Sequence, residues 1–491
     1  MGKDVSLQVF TREDRQQHRE KVRRCLDVFA RMLADGQFDF EKPQVGLEIE
    51  LNLVDDDFEP ALRNAAVLEA IADPDFVTEL GQFNLEINVA PRQLVERGLE
   101  EFEAQIRRSL NHAEEKAREV GARMIMIGIL PSLGTEHTSI EALSANPRYA
   151  LMNEQIFAQR GEDLKLFIDG TERLDTHAET ILPEAACTST QLHLQVSPDD
   201  FPRSWNAAQC FAGVQVALGA NSPYFFGKEL WRETRIALFE QATDTRPEEL
   251  KAQGVRPRVW FGERWITSIF DLFEENVRYF PALLPIMDDE DPVATYERGT
   301  APYLGELRLH NGTIWRWNRP VYDTVGGTAH LRVENRVLPA GPTVVDILAN
   351  AAFYYGLVRK LADDDRPVWS QMSFRAAEDN FHTAAREGIN ARLYWPGYGE
   401  VPVTELVLRQ LLPLAHEGLA EWGVEPASRE RLLGIIEQRC LRQANGASWQ
   451  AATVHRLEDD GADRRTALRG MLARYADGMH SNEPVHTWAP G

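Results

Sequence analysis

The segment VGLEIELNLV, residues 45–54, limits the fold more than any other stretch of the chain. In an extended strand alternate side chains share a face. Val45, Leu47, Ile49, Leu51 and Leu53 then make an unbroken apolar face, and Gly46, Glu48, Glu50 and Asn52 make a polar one. Two neighbouring carboxylates on a sheet repel each other unless a cation lies between them. An outer face turned to water is the competing reading. The design recurs. FNLEINVAP sets Phe83, Leu85, Ile87 and Val89 against Asn84, Glu86 and Asn88, with Glu79 shortly before. CTSTQLHLQV sets Leu192, Leu194 and Val196 against Ser189, Gln191, His193 and Gln195. TAHLRVENRVLP sets Leu331, Val333 and Val337 against His330, Arg332, Glu334 and Arg336. Solvated strands carry Lys and Thr as freely as Glu, yet Lys is absent from these polar faces. That favours one shared polar cavity.

Such a cavity has a definite chemistry. Mg²⁺ takes hard oxygen ligands, usually a few carboxylates together with nucleotide phosphates. Arginine adds forked donors for phosphate and carboxylate oxygens. The chain has no GxxxxGK[ST] loop and no GxGxxG after a strand, so phosphates would be held by metal ions and arginine. The formal net charge of -23 makes nucleic acid and anionic membranes improbable partners and obliges an anionic substrate to find local positive charge. The four cysteines are too scattered for a disulfide framework or a CxxC metal site. The opening segment is charged, without an apolar signal region, and no run approaches a membrane span of roughly 20 residues. The expectation is a cytoplasmic protein acting on small molecules, with a homo-oligomer left open.

Periodicity predicts helices over 12–35, 96–120, 142–160 and 205–219, strands over 45–54, 123–131 and 187–196, and helices from 343 to about 477. GELRLHNGTIWRWNRPVY and GTAHLRVENRVLP read as β-rich. Strands and helices do not alternate as βαβ units, so the expected class is α+β: an antiparallel sheet flanked by helices, with a helical C-terminal part. Asp363-Asp364-Asp365 and Pro367 mark a seam between a catalytic region, 1–362, and a helical region, 363–491, which could also belong to the same domain.

GLEIE, the spacing of Glu79 and Glu86, TSTQLHLQ and ENRVLPAGP, with ILPSL, NPRYALMNEQ, SPYFFG and TIWRWNRPVY between them in order, resemble the glutamate–cysteine ligases and their bacterial carboxylate–amine ligase relatives over roughly residues 43–360. The resemblance implies a glutamine synthetase-like half-barrel that uses ATP and Mg²⁺. It implies that the γ-carboxylate of L-glutamate is phosphorylated and an amine, L-cysteine in the namesake enzymes, displaces the phosphate to give γ-glutamylcysteine. By the same resemblance Glu48, Glu50, Glu79, Glu86, Gln191 and Glu334 correspond to metal ligands. Arg336 corresponds to a γ-phosphate binder, and Arg235, in WRETRIALF, to an arginine on substrate or phosphate. Pro339 and Gln191 depart from residues common in relatives, Asp and His, and leave the amine open.

Other residues carry paired readings. His193 serves nucleotide or is satisfied within the sheet. Arg148 and Tyr149 line the glutamate pocket or cap and pack a helix. Arg316 and Arg319, among Trp315 and Trp317, face nucleotide or stack for stability. His310 begins a turn, the aromatics of NAAFYYGL are core, and Cys187 is a structural thiol. Rival functions are ligation of another acid or amine, a guanidino-kinase-type phosphotransferase, and a non-catalytic nucleotide binder.

Overall fold

A computed structural model describes residues 10–489, so the start of the charged opening segment lies outside the described residues. Seven strands form the central sheet: β1 (Gln44–Val54), β2 (Phe76–Thr78), β3 (Asn84–Gln93), β4 (Arg123–Ile125), β5 (Ser189–Val196), β6 (Asn318–Val325) and β7 (Thr328–Pro339). Their order is β6-β7-β5-β1-β3-β2, with β4 taking over beside the end of β1. Every pairing is antiparallel. The sheet curls into a half-barrel flanked by helices, the α+β class that the alternating strands predict.

Register brings the polar residues together. Glu48 lies opposite Asn88 on one side and Gln191 on the other, and Glu50 lies opposite Glu86. His193 faces Gly46 and Glu334, and Glu334 faces Arg319. The apolar face is walled off by helix. The helices that matter here are α1 (Arg12–Asp35), α2 (Gly98–Glu119), α3 (Pro147–Arg160), α4 (Phe201–Gly219), α5 (Thr234–Ala242), α6 (Ile269–Tyr279), α7 (Gly305–Asn311), α8 (Val344–Ala362) and α9 (Leu412–Glu421). Helix α4 is buried nearly all round, as is α8, which fits sequences with no consistent polar stripe. Phe353, Tyr354 and Tyr355 of NAAFYYGL are core, and the Tyr355 hydroxyl donates to the carbonyls of Gly46 and His193 across the back of the sheet.

Local chemistry fixes some helix ends. Thr11 and Asp14 form a reciprocal capping box at α1. Asn146 caps α3 and Pro147 opens it, so that helix starts five residues later than periodicity suggests. Two sequence expectations are corrected. GELRLHN alternates like a strand but forms α7, because Glu306, Leu307, His310 and Asn311 bury one helical face against α1 and α6. His310 is thus a buried helix residue whose Nε2 meets the Asn276 carbonyl at 2.8 Å, not the start of a turn. RMIMIGILP pairs only through Ile125; the segment beyond leaves the sheet, and the carbonyl of Ile127 is taken by Asn52 and Thr188. A hairpin over 164–178 was not anticipated.

The helices beyond Asp363 return to the sheet's back wall, with α9 packed along α8. The backbones meet at Gly356 and Gly418, where a Cβ on Gly418 would sit 1.9 Å from the Gly356 carbonyl oxygen. No rotamer change relieves a clash with backbone, so the helices must part. Gly418→Ala is expected to lower unfolding free energy by about 2 kcal/mol despite alanine's better helix propensity. Urea denaturation read by circular dichroism checks this, and an equal or more stable variant would show that the two helices are not in close register.

Candidate active site

The polar face is buried, which decides between the two readings of the alternating strands. Glu50, Glu86, Gln191 and Glu334 are 9%, 7%, 3% and 1% exposed. A solvated outer face would not look like this. The centre is Glu334 on β7. Its Oε1 accepts from Arg336 Nη1 at 2.8 Å and its Oε2 from Arg319 Nη2 at 2.7 Å. The same Arg336 nitrogen donates to Gln191 Oε1 at 2.7 Å, and Gln191 Nε2 donates to Glu50 Oε1 at 3.0 Å. The Ser189 amide donates to Glu50 Oε2 at 2.6 Å. On the other side of Glu334, Arg332 Nε donates to His193 Nδ1 at 3.0 Å. The ring's Nε2 lies 3.2 Å from Glu48 Oε1, though turned out of hydrogen-bond alignment.

Charge on the face divides in two. Burial alone would raise Glu334, but Arg319, Arg336 and His193 together outweigh it and hold the carboxyl well below its usual range. Burial opposes His193 at Glu48 as well, and the net effect is downward. The other half is deprived of positive charge. Burial pushes Glu79 up to about 8, helped by Glu50 and Glu184. Burial, followed by the charges of Glu48, Glu79 and Glu50, drives Glu86 well above its ordinary value. Burial also raises Glu50.

Glu184 joins this group and was missed in the sequence. It sits on a short helical turn before β5, outside any alternating pattern, and burial next to Glu50 pushes it up to about 8. Its only sequence signal is its nearness to the strand. Arg148 and Tyr149 reach the same end of the face: the Tyr149 hydroxyl donates to the Thr78 carbonyl at 3.0 Å. The half-buried Arg148 guanidinium makes no hydrogen bond or ion pair among the described residues, and burial lowers it from its ordinary value. Two candidates fall elsewhere. Arg316 is 1% exposed and bound to Glu275 and Asn276 behind Trp260, so Arg319 is the arginine of this pair that reaches the face. Arg235 is 2% exposed and directed at backbone carbonyls. Cys187 has its thiol raised, first by burial and then by Glu184, and stays protonated.

The family model described as glutamate-cysteine ligase family 2 matches residues 44–465. The chain belongs to this family. It is a carboxylate–amine ligase, and the match runs on through the C-terminal helices, past the motifs that suggest it. No curated protein matches the chain in sequence. Among solved structures, a glutamate–cysteine ligase from Francisella tularensis in complex with AMP is similar with a TM-score of 0.54 and 12% identity, over 91% of this chain and 90% of that one. A bifunctional glutathione synthetase from Pasteurella multocida is similar with a TM-score of 0.50 and 12% identity, over 92% of this chain and 54% of that one. This chain thus spans about half the length of that second protein. At such identities both likenesses bear on the fold alone.

The carboxyls of this family 2 ligase test whether a cation fits. Glu50, Glu79, Glu86 and Glu184 all hold protons more tightly than an ordinary carboxyl, which is what carboxylates built around a positive charge do without it. Among the described residues no three His, Cys, Asp or Glu side chains make a closed metal cage. Mg²⁺ suits such an open arrangement, since it is usually held by one or two carboxylates plus water and phosphate oxygens. Glu48, Glu50, Glu79, Glu86 and Glu334 could each offer an oxygen.

A pH dependence follows. An ordinary Glu titrates at 4.5, whereas folded Glu79 and Glu184 keep their protons to about 8. Between those values the folded state binds more protons than the unfolded state, so stability falls as pH rises through that window. Each such group contributes at most about 1.4 kcal/mol per pH unit. Glu48 and Glu334 act oppositely, losing their contribution only as pH falls through their depressed values. Metal-free protein is therefore expected to lose urea stability between about pH 5.5 and 8, and millimolar Mg²⁺ to restore it at the upper end. Stability that is flat with pH, or indifferent to Mg²⁺ at the upper end, would contradict the cation-deficient cluster.

Proposed function

We propose that the protein ligates the γ-carboxylate of L-glutamate to an amine, L-cysteine first among the candidates, with ATP as the phosphoryl donor and an acyl phosphate between. The observation that carries this reading is Arg336 lying across Glu334 and Gln191 in the middle of a buried carboxylate face. Its fork is held on one edge, and the remaining donors can meet a phosphoryl group with matching geometry. Arg319 holds the other Glu334 oxygen and keeps that carboxylate ionised. Arg148, without an ion-pair partner among the described residues, suits the α-carboxylate of an amino acid, and Tyr149 fixes the wall beside it. Mg²⁺ would supply charge neutralisation between ATP phosphates and the glutamates. The apolar back wall and the curl of the sheet exclude water, which would otherwise hydrolyse an acyl phosphate. We assign this apparatus to the first 362 residues and a supporting role to the helices after them.

Ser189 shares this face beside Glu50, but its hydroxyl has no histidine or lysine base bonded to it among the described residues, and Cys187 is kept protonated, so the simplest phosphoryl acceptor is the substrate's own carboxylate. Oxygen labelled in that carboxylate should appear in the released phosphate when amide forms. Incubation with ATP, Mg²⁺, labelled glutamate and a panel of amines, read by mass spectrometry, tests the reading. Amide with unlabelled phosphate would remove the acyl phosphate, and a phosphorylated product without amide would favour a phosphotransferase.

Arg336→Lys keeps the charge and loses the fork. A fall in kcat of about 10²–10³, with the KM for ATP changed much less, is expected if the fork matches charge that develops in the transition state. Glu334→Gln should cost a similar factor, about 10² or more, most visibly at limiting Mg²⁺. Either variant with wild-type turnover and an intact circular dichroism spectrum would take its residue out of the site.

A further inference from the structure

The strand that carries Arg336 is irregular where the arginine sits. β7 pairs regularly with β5 up to Asn335 opposite Leu192, then resumes with Leu338 opposite Thr190. Arg336 and Val337 therefore share the single place opposite Gln191, a β-bulge. The Arg336 amide still donates to the Trp317 carbonyl on the β6 side at 2.8 Å. The two bulge carbonyls are instead taken up by a side chain. Arg235 Nη2 donates to the Val337 carbonyl at 2.5 Å and Nη1 to the Arg336 carbonyl at 3.4 Å. Its Nε donates to Glu233 Oε1 at 3.1 Å.

Glu233 is itself fixed. It is 0% exposed, and its carboxylate accepts from the Asn221 amide and the Ser222 hydroxyl, each at 2.8 Å. Ser222 also accepts from the Arg235 amide, at 3.2 Å, at the start of α5. Every nitrogen of the Arg235 fork is occupied, and the indole of Trp317 lies 5.5 Å from its carbon. Three of its five N–H donors are so used, and at 2% exposure the other two are out of a substrate's reach.

We propose that Glu233 and Arg235 are positioning residues: they clamp the bulge at Arg336–Val337 and so aim the Arg336 guanidinium across Glu334 and Gln191. A bulge re-aims a side chain, and without a partner for its carbonyls it would relax toward regular pairing or fray. The planar fork suits the task because it reaches two adjacent carbonyls and a carboxylate together, which an ammonium cannot do. The inference rests on the ligase reading for its consequence in turnover and on geometry alone for the clamp.

The test is a double-mutant cycle with a second readout that needs no turnover. Arg235→Lys should lower kcat about a hundredfold, through a displacement on the order of 1 Å at Arg336, while KM values for ATP, acid and amine stay within a few-fold. In an Arg336→Lys background the same substitution should cost less than about threefold, because the clamp then has little left to aim. Costs that multiply, or a raised KM for acid or amine with kcat intact, would make Arg235 a direct substrate contact and overturn the proposal. Hydrogen exchange by mass spectrometry should quicken in the peptide spanning 334–338 in Arg235→Lys and leave β1 unchanged. Unchanged exchange there overturns the clamp even if the ligase reading stands. A wild-type chain that forms no amide with any pair of substrates would instead defeat the ligase reading and leave the exchange test in force. Should Arg235→Lys fail to fold, Glu233→Gln, which keeps Arg235 and its charge, carries the same readouts.

Discussion

Six carboxyl groups gathered at one buried sheet face are the constraint on which the rest of this structure depends: Glu48, Glu50, Glu86 and Glu334 on the strands, with Glu79 and Glu184 beside them. Taking a charged carboxylate out of water is costly unless it is paired, and pairing is uneven here. Arg319, Arg332 and Arg336 with His193 serve one half of the face. The other half keeps its protons or waits for a cation. The fold holds groups that repel one another, so it must be strong elsewhere. The continuous core behind the sheet, from α1 through β1 and α8 to the C-terminal helices, supplies that strength.

Precision on the polar face is enforced from the opposite side. Asn318 and Asn335, adjacent on β6 and β7, turn into the core. Asn335 exchanges hydrogen bonds with Gln215 of α4 and donates to Asn318 at 2.8 Å; Asn318 donates to Gln209 of α4 at 2.7 Å. A slip of one residue would leave these buried amides unpaired and turn Glu334 and Arg336 into the apolar wall. The amide network therefore keys the register that sets Arg319 opposite Glu334. With the bulge beyond it, this makes one arm of the site rigid enough for Arg336 to act from a fixed place.

Much of the site was legible because a strand's period of two is visible in the letters. Glu48, Glu50, Glu86, Gln191, His193, Glu334 and Arg336 all came from alternation and all share the face. What lacked a period was not legible. Glu184 belongs to a helical turn, and its role arises from where the chain enters β5. Arg316 and Arg319 are three residues apart in similar company, and only the start of β6 at Asn318 decides which one points at Glu334. GELRLHN alternates as a strand does, yet the buried face it offers α1 and α6 makes it α7. Arg235 has a local sequence that resembles a substrate-binding arginine, while its partners are carbonyls of residues about a hundred positions away.

The sequence by itself determined the two-faced strands, the helical remainder and the carboxylate–arginine chemistry, because side-chain alternation and hydrophobic burial act over a few residues and are written locally. Tertiary structure decided that the polar face is largely buried, which arginines complete it, and how Arg336 is aimed. Those outcomes depend on distances between segments far apart in the chain. Burial then sets the charge of each group, so the same glutamate is a depressed acid beside Arg319 and a proton-holding one beside Glu50.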